Sequence, residues 1–492
     1  MKQVKKIVCL ILAALCIVGV VACKSNKTEE AVTTANQAAT VIEGSEEIKS
    51  GAPEGFSLNG RATRILCRNT DLRQMDVDGG GTYTGDVVFD AVYTRNCTVA
   101  ELLGTTFEIT AMDGDWTQFG VTMESSLMAG DDNWDIINAP GNACCTAQRD
   151  YLFQELQNSP YLSFENPYWN NAAMEEVSID GVKIRYLVGD LSLSMHHYSG
   201  AVFFNKALFE KSGFDENELY QMVIDRQWTI EKLEQYAQMV FDDTNSNGIT
   251  DDEDISGFTI FTTEDAKWLE YGADVRRSRR NADGIVEMDY DLDRANLAVD
   301  KLRNLLFSTP GARYTQTSTR NFDLFTGGHT VFVGCYLGAV SYAPLRNMVD
   351  PYGIVPFPML DEKQAEYSNY IHNSAAYYCV PVTCKNLDDA TAVLEALCFE
   401  TYNSVIGVYF EMALKSKYAS DTKTGECIDI IRAVSKKYFL AEHNTALDYG
   451  AFLISKQLTK EQNTLTSDYR GIVDSANRKI VELVEKIGEL EN

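Results

Sequence analysis

The chain has 492 residues, of which 45% are hydrophobic and 23% are charged. This length suggests two or more folded units, because a single hydrophobic core rarely grows past about 250–300 residues. Lys and Arg number 43 against 71 Asp and Glu, so the formal net charge of −28 repels a phosphate backbone and argues against nucleic acid as a partner. The 33 Gly and 10 Pro exclude collagen-like and proline-rich architectures.

Residues 1–22 are typical of a secretory signal peptide. Three lysines precede an apolar run at 7–21, which is shorter than the roughly 20 residues that span a bilayer as a helix. Small and aliphatic residues then precede Cys23, and this pattern resembles a bacterial lipobox, which implies cleavage before Cys23 and lipidation (diacylglyceryl, palmitate) of its thiol. Residues 23–57 predict a disordered tether. We therefore expect a lipoprotein on the extracellular face of the cell membrane; a plain signal peptide and an uncleaved anchor are the alternatives.

From residue 58 onward, short buried strands alternate with amphipathic helices. This order predicts βαβ units, mostly parallel sheets and two α/β lobes, with ligands beyond the carboxyl ends of strands. Predicted strands cover 62–67, 106–111, 134–138, 201–205, 330–334 and 352–355; predicted helices cover 87–103, 116–128, 206–213, 230–241, 322–328, 388–399 and 468–489.

Twelve cysteines are present, of which two lie in the signal peptide and a third is Cys23. The remaining nine are an odd number without a CxxC motif, so a disulfide framework is not expected, and most are predicted to be small buried hydrophobic residues. The pairing of Cys144 with Cys145 is left open.

The sequence carries little sign of catalysis. GxSxG, HExxH, GxxxxGK[ST] and GxGxxG motifs are all absent, and His196-His197 is the only adjacent pair among five histidines. Packing or polar contacts near a hinge are the favoured role of that pair. Acidic pairs such as Asp113 and Asp115 could serve a glycosidase, but they are expected by chance in so acidic a chain. We expect no enzyme.

One segment, residues 243–254, has the ligand spacing of a twelve-residue Ca²⁺ loop. Gly248 falls at the sharp turn, and Asp254 stands where a longer Glu is usual. The spacing predicts a structural Ca²⁺ site, with an ion-free acidic turn as the alternative. Its oxygen ligands would come from Asp243, Asn245, Asn247, the carbonyl of Ile249, Asp251 and Asp254.

Two further features indicate surface contacts. The basic run at 276–280 predicts a solvated hairpin or local ion pairs, with recognition of an acidic ligand or of a partner surface as the alternative. Aromatic residues make up 11% of the chain, and several fall at predicted strand ends or loops. Flat rings edged by amides and carboxylates suit sugars. The aromatic ligand-binding candidates are Trp116, Trp134, Tyr198, Trp268, Tyr271, Tyr336 and Tyr377.

Four segments together resemble the extracellular solute-binding proteins of family 1, the receptors of bacterial ABC sugar importers. They are residues 186–209, which contain AVFFNKALF; 228–233, WTIEKL; 322–332, FDLFTGGHTVF; and 352–358, YGIVPFP. Their order and spacing are more specific than any one of them, and with the lipobox they cover most of the mature chain. The calcium-like loop is an addition to the general family pattern.

The resemblance implies a type II periplasmic-binding-protein-like α/β fold, in which two hinge-connected lobes close on a ligand in a central cleft. It places chain crossings near 188–195, 371–377 and 413–417. His197 and Tyr198 would lie near the hinge, Asn69 and Asn138 at the cleft, and Tyr336 where an aromatic ring often stacks on sugar. The implied parts are a first lobe at 58–190 and 373–415, and a second lobe at 191–372 and 416–492.

We therefore predict a monomeric binding lipoprotein that captures a carbohydrate, preferably an oligosaccharide, and delivers it to the permease of an ABC transporter. Ligand would stabilise the closed form, so the mechanism is a population shift without bond chemistry. A non-sugar solute such as a peptide or polyamine, a surface glycosidase, and a sensor subunit remain alternatives.

Overall fold

The computed structural model describes residues 48–490, apart from 53–54, 146–149, 180, 182, 262–263, 316, 411–421 and 448. The predicted signal peptide, Cys23, most of the tether and the predicted crossing at 413–417 lie outside the described residues. Residues 50–492 form one unit, and this unit contains both main sheets and their hydrophobic cores.

The strands are numbered in chain order. They are β1 (Ala62–Arg68), β2 (Thr106–Met112), β3 (Ile136–Pro140), β4 (Gly200–Asn205), β5 (Ser256–Phe261), β6 (Ser278–Arg280), β7 (Val286–Met288), β8 (Ala312–Thr315), β9 (Thr330–Tyr336), β10 (Tyr352–Val355), β11 (Asn369–Tyr370), β12 (Ala376–Cys379) and β13 (Ser435–Lys436).

The α-helices connect these strands and cover both sheets. They are Asp71–Arg73, Val87–Leu103, Trp116–Met128, Gly141–Cys144, Asn171–Val177, Leu193–His197, Lys206–Lys211, Glu216–Ile224, Ile230–Val240, Ala266–Gly272, Leu292–Arg303, Ser318–Thr326, Ala343–Arg346, Leu387–Glu400, Ile406–Val408, Thr422–Val434, Phe439–Glu442, Leu453–Gln457 and Leu465–Leu490. Wider turns extend three of them, at Gln74–Asp78, Asn304–Ser308 and Thr401–Val405.

Two main sheets organise the fold. The first has the order β12-β3-β1-β2, in which β1 pairs parallel with β2 and β3, while β12 is antiparallel. The second has the order β10-β4-β9-β5-β8, with β5 parallel to β8 and β9, and with β4 antiparallel to β9 and β10. We call the parts built on these sheets the first and second lobes.

Local sequence explains the helices that start the first lobe. Asp86 caps the helix Val87–Leu103 by accepting the N–H groups of the next turn, and Gly104 ends it with a φ of 59°, which glycine adopts without steric cost. The next helix, Trp116–Met128, begins in a capping box between Asp115 and Gln118. The helix Trp116–Met128 thus starts shortly after β2, whereas short helical segments separate β1 from the helix Val87–Leu103.

The chain passes between the lobes through two adjacent segments in the described part of the chain. We call residues 188–198 the first crossing segment and residues 372–375 the second crossing segment. Leu187 pairs with Tyr378 on the side of the first lobe, and Ser199 pairs with Ile371 on the side of the second lobe. The first crossing segment contains a short helix, Leu193–His197, which we call the linker helix.

Apolar packing holds each lobe and also joins the two. The second lobe is centred on one cluster of fully buried side chains that includes Trp228, Phe204 and Phe332. Another cluster combines Val92 of the first lobe with Phe203 of the second. Burial of such side chains contributes about 1.5–3 kcal/mol each.

The predicted α/β class and two-lobe fold are confirmed. The expectation of mostly parallel sheets holds for four of the seven strand pairings in the two main sheets, and each sheet also contains antiparallel strands. The antiparallel strands β4 and β12 directly follow the crossing segments, so they enter their sheets from the hinge and not through a helical βαβ crossover.

Candidate functional site

Two cavities lie beside the crossing segments and share Ser374. The first, which we call the tyrosine cavity, has a volume of about 740 Å³ and is bordered by Tyr198, Tyr336 and Tyr342 of the second lobe and its crossing. The second, the tryptophan cavity, has a volume of about 640 Å³ and contains Trp116 of the first lobe. Both occupy the space between the lobes, where closure would bury a ligand.

The tyrosine cavity collects residues from the carboxyl ends of strands in both sheets. Arg68 ends β1, Asn138 lies in β3, and Tyr336 ends β9. The loop and short helices at 70–75, directly after β1, complete the wall on the first lobe. This is the position that open α/β sheets reserve for ligands.

Three of the aromatic rings that line this cavity lie close together. The ring centroids of His197 and Tyr198 are 4.9 Å apart, those of His197 and Tyr336 are 5.3 Å apart, and those of Tyr198 and Tyr336 are 5.7 Å apart. Burial lowers the pKa of His197 to about 4, so the imidazole is neutral near pH 7. Its buried Nδ1 has no hydrogen-bond partner among the described residues.

Asn138 supplies a second polar group at the same wall. The residue is 5% exposed, and its amide nitrogen makes no well-formed hydrogen bond to the described residues. It lies close enough to the Asp76 carboxylate to help lower the pKa of that group, although burial raises the pKa more strongly. A buried amide facing a cavity is poised to bind a polar solute.

The tryptophan cavity joins Trp116 to residues of the second lobe. Tyr449 and Phe452 line it, and Tyr449 is held at a φ of 58°, which is uncommon for a residue with a side chain. The rings of Tyr198 and His372 are 5.9 Å apart, so a row of rings leads from one cavity to the other.

Charges in the tryptophan cavity are paired. His372 Nε2 lies 3.0 Å from Glu264 Oε2, and Lys267 forms an ion pair with the same carboxylate. Hydrogen bonding from His372 is the main reason that the pKa of Glu264 falls to about 2. Deeper in the wall, the buried Lys437 Nζ lies 3.1 Å from Glu442 Oε1. The second oxygen of Glu442 has no hydrogen-bond partner among the described residues.

Sequence-predicted residues divide between the cavities and the core. Asn138, His197, Tyr198 and Tyr336 line the tyrosine cavity, and Trp116 lines the tryptophan cavity. The roles of these five in ligand binding stay predictions.

The other five candidates do not line either cavity. Asn69 sits between two lining residues, but its amide donates to Asp113 Oδ1 at 2.7 Å. The remaining four are buried aromatic residues, because their large apolar surfaces are used in packing. They are Trp134, Trp268, Tyr271 and Tyr377.

Sequence reasoning missed most of the tryptophan cavity. Glu264 and Lys267 follow β5 closely, so the rule that ligands lie beyond strand ends could have identified them. Glu442, Tyr449 and Phe452 come from the C-terminal region. They line the cavity only because the folded chain returns to the space between the lobes, and no local sequence signal indicates this.

In the calcium-like loop, two carboxylates accept hydrogen bonds from backbone N–H groups of the same loop. The Asp243 carboxylate accepts the N–H groups of Asn247 and Gly248, and the Asp254 carboxylate accepts those of Thr244 and Asp251. Gly248 has a φ of 78°, as the sharp turn requires. Among the described residues, no group of three or more His, Cys, Asp or Glu is arranged to hold a metal ion, so Ca²⁺ binding stays a prediction.

The basic run at 276–280 is engaged locally. Arg276 and Arg279 pair with acids of the same hairpin, and the buried Arg277 stacks on Tyr271 with 4.0 Å between its guanidinium carbon and the ring centroid. Arg280 donates to carbonyl groups at the end of the helix Asn171–Val177. These contacts match the predicted local ion pairs.

Cysteines and helices add two further findings. Of the nine cysteines in the described part, eight are buried and Cys97 is exposed. None of the helices in the described ranges is long and apolar enough to cross a membrane.

The chain is similar in fold to solved solute-binding proteins of ABC transporters. The GacH receptor of Streptomyces glaucescens, solved with and without acarbose, aligns with a TM-score of 0.53 at 12% identity, over 87% of this chain and 98% of that one. A family 1 extracellular solute-binding protein from Bifidobacterium longum subsp. infantis aligns with a TM-score of 0.51 at 11% identity, over 86% and 100%.

A third neighbour carries a different ligand. UgpB from Mycobacterium tuberculosis, in complex with glycerophosphocholine, aligns with a TM-score of 0.52 at 10% identity, over 87% of this chain and 98% of that one. No protein-family profile and no curated protein sequence matches the chain. At such low identity the similarity establishes the fold, which is the two-lobe fold of these binding proteins.

Proposed function

We propose that the protein is a substrate-binding protein that captures a carbohydrate between its lobes for an ABC importer. The observation that carries this proposal is the pair of neighbouring cavities between the lobes. They are lined by aromatic rings and by residues with polar atoms that have no hydrogen-bond partner in the described part of the chain. Sugars offer apolar C–H faces to rings and hydroxyl groups to amides and carboxylates.

The charge balance of the cavities favours a neutral ligand. In the tryptophan cavity, Glu264 and Glu442 are offset by Lys267 and Lys456. The tyrosine cavity likewise mixes arginines with aspartates. A polyamine would need an excess of carboxylates to replace the hydration that it loses. Neutral solutes, among which sugars suit the clustered rings best, do not incur this desolvation cost.

Binding is proposed to work by lobe closure. The open form lets a solute contact one lobe, whereas the closed form lets Trp116 and Asn138 of the first lobe and Tyr336 and Phe452 of the second contact it together. Ligand then stabilises closure by its extra affinity for the closed form. No bond of the ligand is made or broken, so the proposal includes no enzymatic step.

Calorimetric titration of the unit 50–492 tests the ligand class. The panel contains maltose, maltotriose, β-1,6-galactobiose, glycerophosphocholine, spermidine and a tripeptide. We expect an oligosaccharide to bind, with affinity reduced about two- to tenfold by Tyr336→Ala or Trp116→Ala, since lost stacking costs about 0.5–1.5 kcal/mol. Phe307→Ala is the control, because Phe307 is 48% exposed on the second lobe and lines neither cavity.

The titration also separates the alternatives. Binding of spermidine or the tripeptide without binding of any sugar would overturn the ligand class and leave the fold intact. Release of the aglycone from aryl glycosides by the purified protein, lost when Glu442 or Glu264 is replaced by Gln, would favour the glycosidase alternative.

We further propose that lipidated Cys23 tethers the protein to the extracellular face of the membrane beside a permease. The support is the lipobox-like sequence before Cys23 and the tether after it. Cys23→Ser is expected to release the protein into the medium and to reduce uptake of the sugar identified by calorimetry. Retention at the membrane without lipid would contradict the anchor, and unchanged uptake after deletion of the gene would favour the sensor alternative.

The loop 243–254 is proposed to bind Ca²⁺ as a structural clip. Its support is the ligand spacing together with the turn at Gly248 and the way that backbone N–H groups orient the Asp243 carboxylate. Ca²⁺ at about 100 times its Kd would add about 2.7 kcal/mol of stability. We expect Ca²⁺ to raise the melting temperature of the wild type but not of Asp243→Ala. If the wild type has the same melting temperature with Ca²⁺ and with a chelator, the proposed Ca²⁺ site is refuted.

A further inference from the structure

A buried carboxylate, Asp76, lies where the first lobe meets both crossing segments. It belongs to the wide turn Gln74–Asp78, whose neighbours Gln74 and Met75 line the tyrosine cavity. Asp76 is 0% exposed, and no Lys or Arg in the described part of the chain forms an ion pair with its carboxylate. A carboxylate in this state needs a specific reason to be there, since burial of a charge is costly.

Both oxygens of Asp76 bind the linker helix. The Ser194 backbone N–H donates to Oδ1 at 2.9 Å, and the Ser194 hydroxyl donates to Oδ2 at 2.5 Å. The same hydroxyl accepts the N–H of Ala376 at 3.0 Å, and Ala376 is the first residue of β12, directly after the second crossing segment. One carboxylate therefore ties the first lobe to both connections between the lobes.

The far end of the linker helix reaches the ligand cavity. His197 is its last residue, and Tyr198 follows it; both line the tyrosine cavity. His197 packs closely on Gly338 of the second lobe, where an added Cβ would lie 2.1 Å from Nδ1. The linker helix thus has the first lobe at one end, through Asp76, and the second lobe at the other.

Among the described residues, no cationic group lies close enough to the Asp76 carboxylate to form an ion pair with it. The Arg95 guanidinium comes nearest, but it donates to the carbonyl oxygens of Asp76 and Val77 and not to the carboxylate. Burial raises the pKa of Asp76 to about 7, while the hydrogen bonds from Ser194 oppose that rise. In the described part of the chain, the other titratable groups that face Asp76 are Cys67 of β1, Tyr378 of β12, Tyr198 and Tyr409. The pKa values of these four groups are all raised, so they are neutral near pH 7.

We propose that Asp76 is a positioning residue of the hinge: its ionised carboxylate holds the linker helix, and with it His197 and Tyr198, against the first lobe. Protonation removes the negative charge that strengthens both hydrogen bonds from Ser194, so the linker helix is held less strongly and moves with the second lobe. The lobe arrangement then responds to pH even without ligand. This inference rests on the two-lobe structure and does not depend on the proposed ligand.

Distance measurement between the lobes tests the proposal without ligand. Met128 of the first lobe and Met239 of the second are 64% and 67% exposed, so Met128→Cys and Met239→Cys in a Cys97→Ser background accept spin labels while the other cysteines stay buried. We expect the distance distribution from double electron–electron resonance to change between pH 5.5 and 8.5. A distribution that is the same at every pH overturns the proposal.

Three variants of the labelled protein sharpen the result. Asp76→Asn keeps the shape but cannot ionise, so the change with pH should vanish. Asp78→Asn is the control, since Asp78 lies in the same turn and pairs with Arg73. This variant should retain the change of the distance distribution with pH. If Asp76→Asn does not fold, Ser194→Ala decides: loss of its hydroxyl weakens the ionised form, so the midpoint should move to higher pH. A retained change in Asp76→Asn, or an unmoved midpoint in Ser194→Ala, contradicts the role of Asp76.

Discussion

Replacement of Asp76 by Asn should change how the stability of the protein depends on pH. The pKa of this carboxyl is raised to about 7 in the folded protein, chiefly by burial, against about 3.9 in an unfolded chain. Between these values the folded state holds a proton that the unfolded state has released. The free energy of unfolding of the wild type therefore falls as pH rises from about 4 through 7.

The size of this effect follows from the separation of the two pKa values. A difference of about 3 units corresponds to about 4 kcal/mol, at 1.36 kcal/mol per unit. Asn cannot ionise, so the stability of Asp76→Asn relative to the wild type should rise by about 4 kcal/mol between pH 4 and 8. A constant offset from the changed hydrogen bonds does not alter this slope.

Urea unfolding of the unit 50–492, followed by tryptophan fluorescence at pH 5, 6, 7 and 8, measures the difference. Asp135→Asn is the matched control, since Asp135 is also fully buried but is paired with Arg61 and Arg64. Burial raises the pKa of Asp135, but the Arg64 hydrogen bonds outweigh it and the pKa is lowered. That variant should be less stable by a similar amount at every pH tested. Parallel pH profiles for Asp76→Asn and the wild type would refute the reasoning.

Three further outcomes are expected. Gly338→Ala should displace the His197 ring, because a Cβ there lies 2.1 Å from Nδ1, and should weaken binding of the sugar found by calorimetry; an unchanged Kd would contradict this contact. Trp268→Phe should lower the melting temperature, because it removes a hydrogen bond to a core carbonyl, and should change the Kd by no more than about twofold. Trp116→Ala should instead raise the Kd and leave the melting temperature nearly unchanged. A maleimide should modify the native protein at Cys97 alone and the urea-unfolded protein at the buried thiols as well, as mass spectrometry would show; rapid native labelling elsewhere would contradict the described burial.

Sequence periodicity predicted the elements of the fold well where local signals are strong. The helices Val87–Leu103 and Trp116–Met128 and the strand Tyr352–Val355 have the predicted bounds. Capping residues and turn glycines fix such boundaries through neighbours within a few positions. Sheet direction depends instead on how the chain returns from the hinge, so the antiparallel strand β12 was not foreseen.

Aromatic candidates show the same limit at the site. Tyr198 and Tyr336 line a cavity, whereas Tyr271 and Trp268, which were candidates for the same reason, are buried in the core. A ring after a strand faces the cleft or the core according to which element covers it, and that covering element comes from a distant part of the chain. The tryptophan cavity illustrates this, since Glu264 and Phe452 meet across 188 positions only in the folded protein.

The sequence by itself determined the α/β class, the bounds of most elements and the resemblance to two-lobe binding proteins, because these follow from local propensity and from the order of short motifs. Tertiary structure alone decided which polar groups lie in the cavities, how the charges there are balanced, and that Asp76 is buried against both crossing segments. Each of these depends on desolvation by residues far away in the sequence. A buried carboxylate acquires its properties from what surrounds it in space, and no pattern of neighbours along the chain records that.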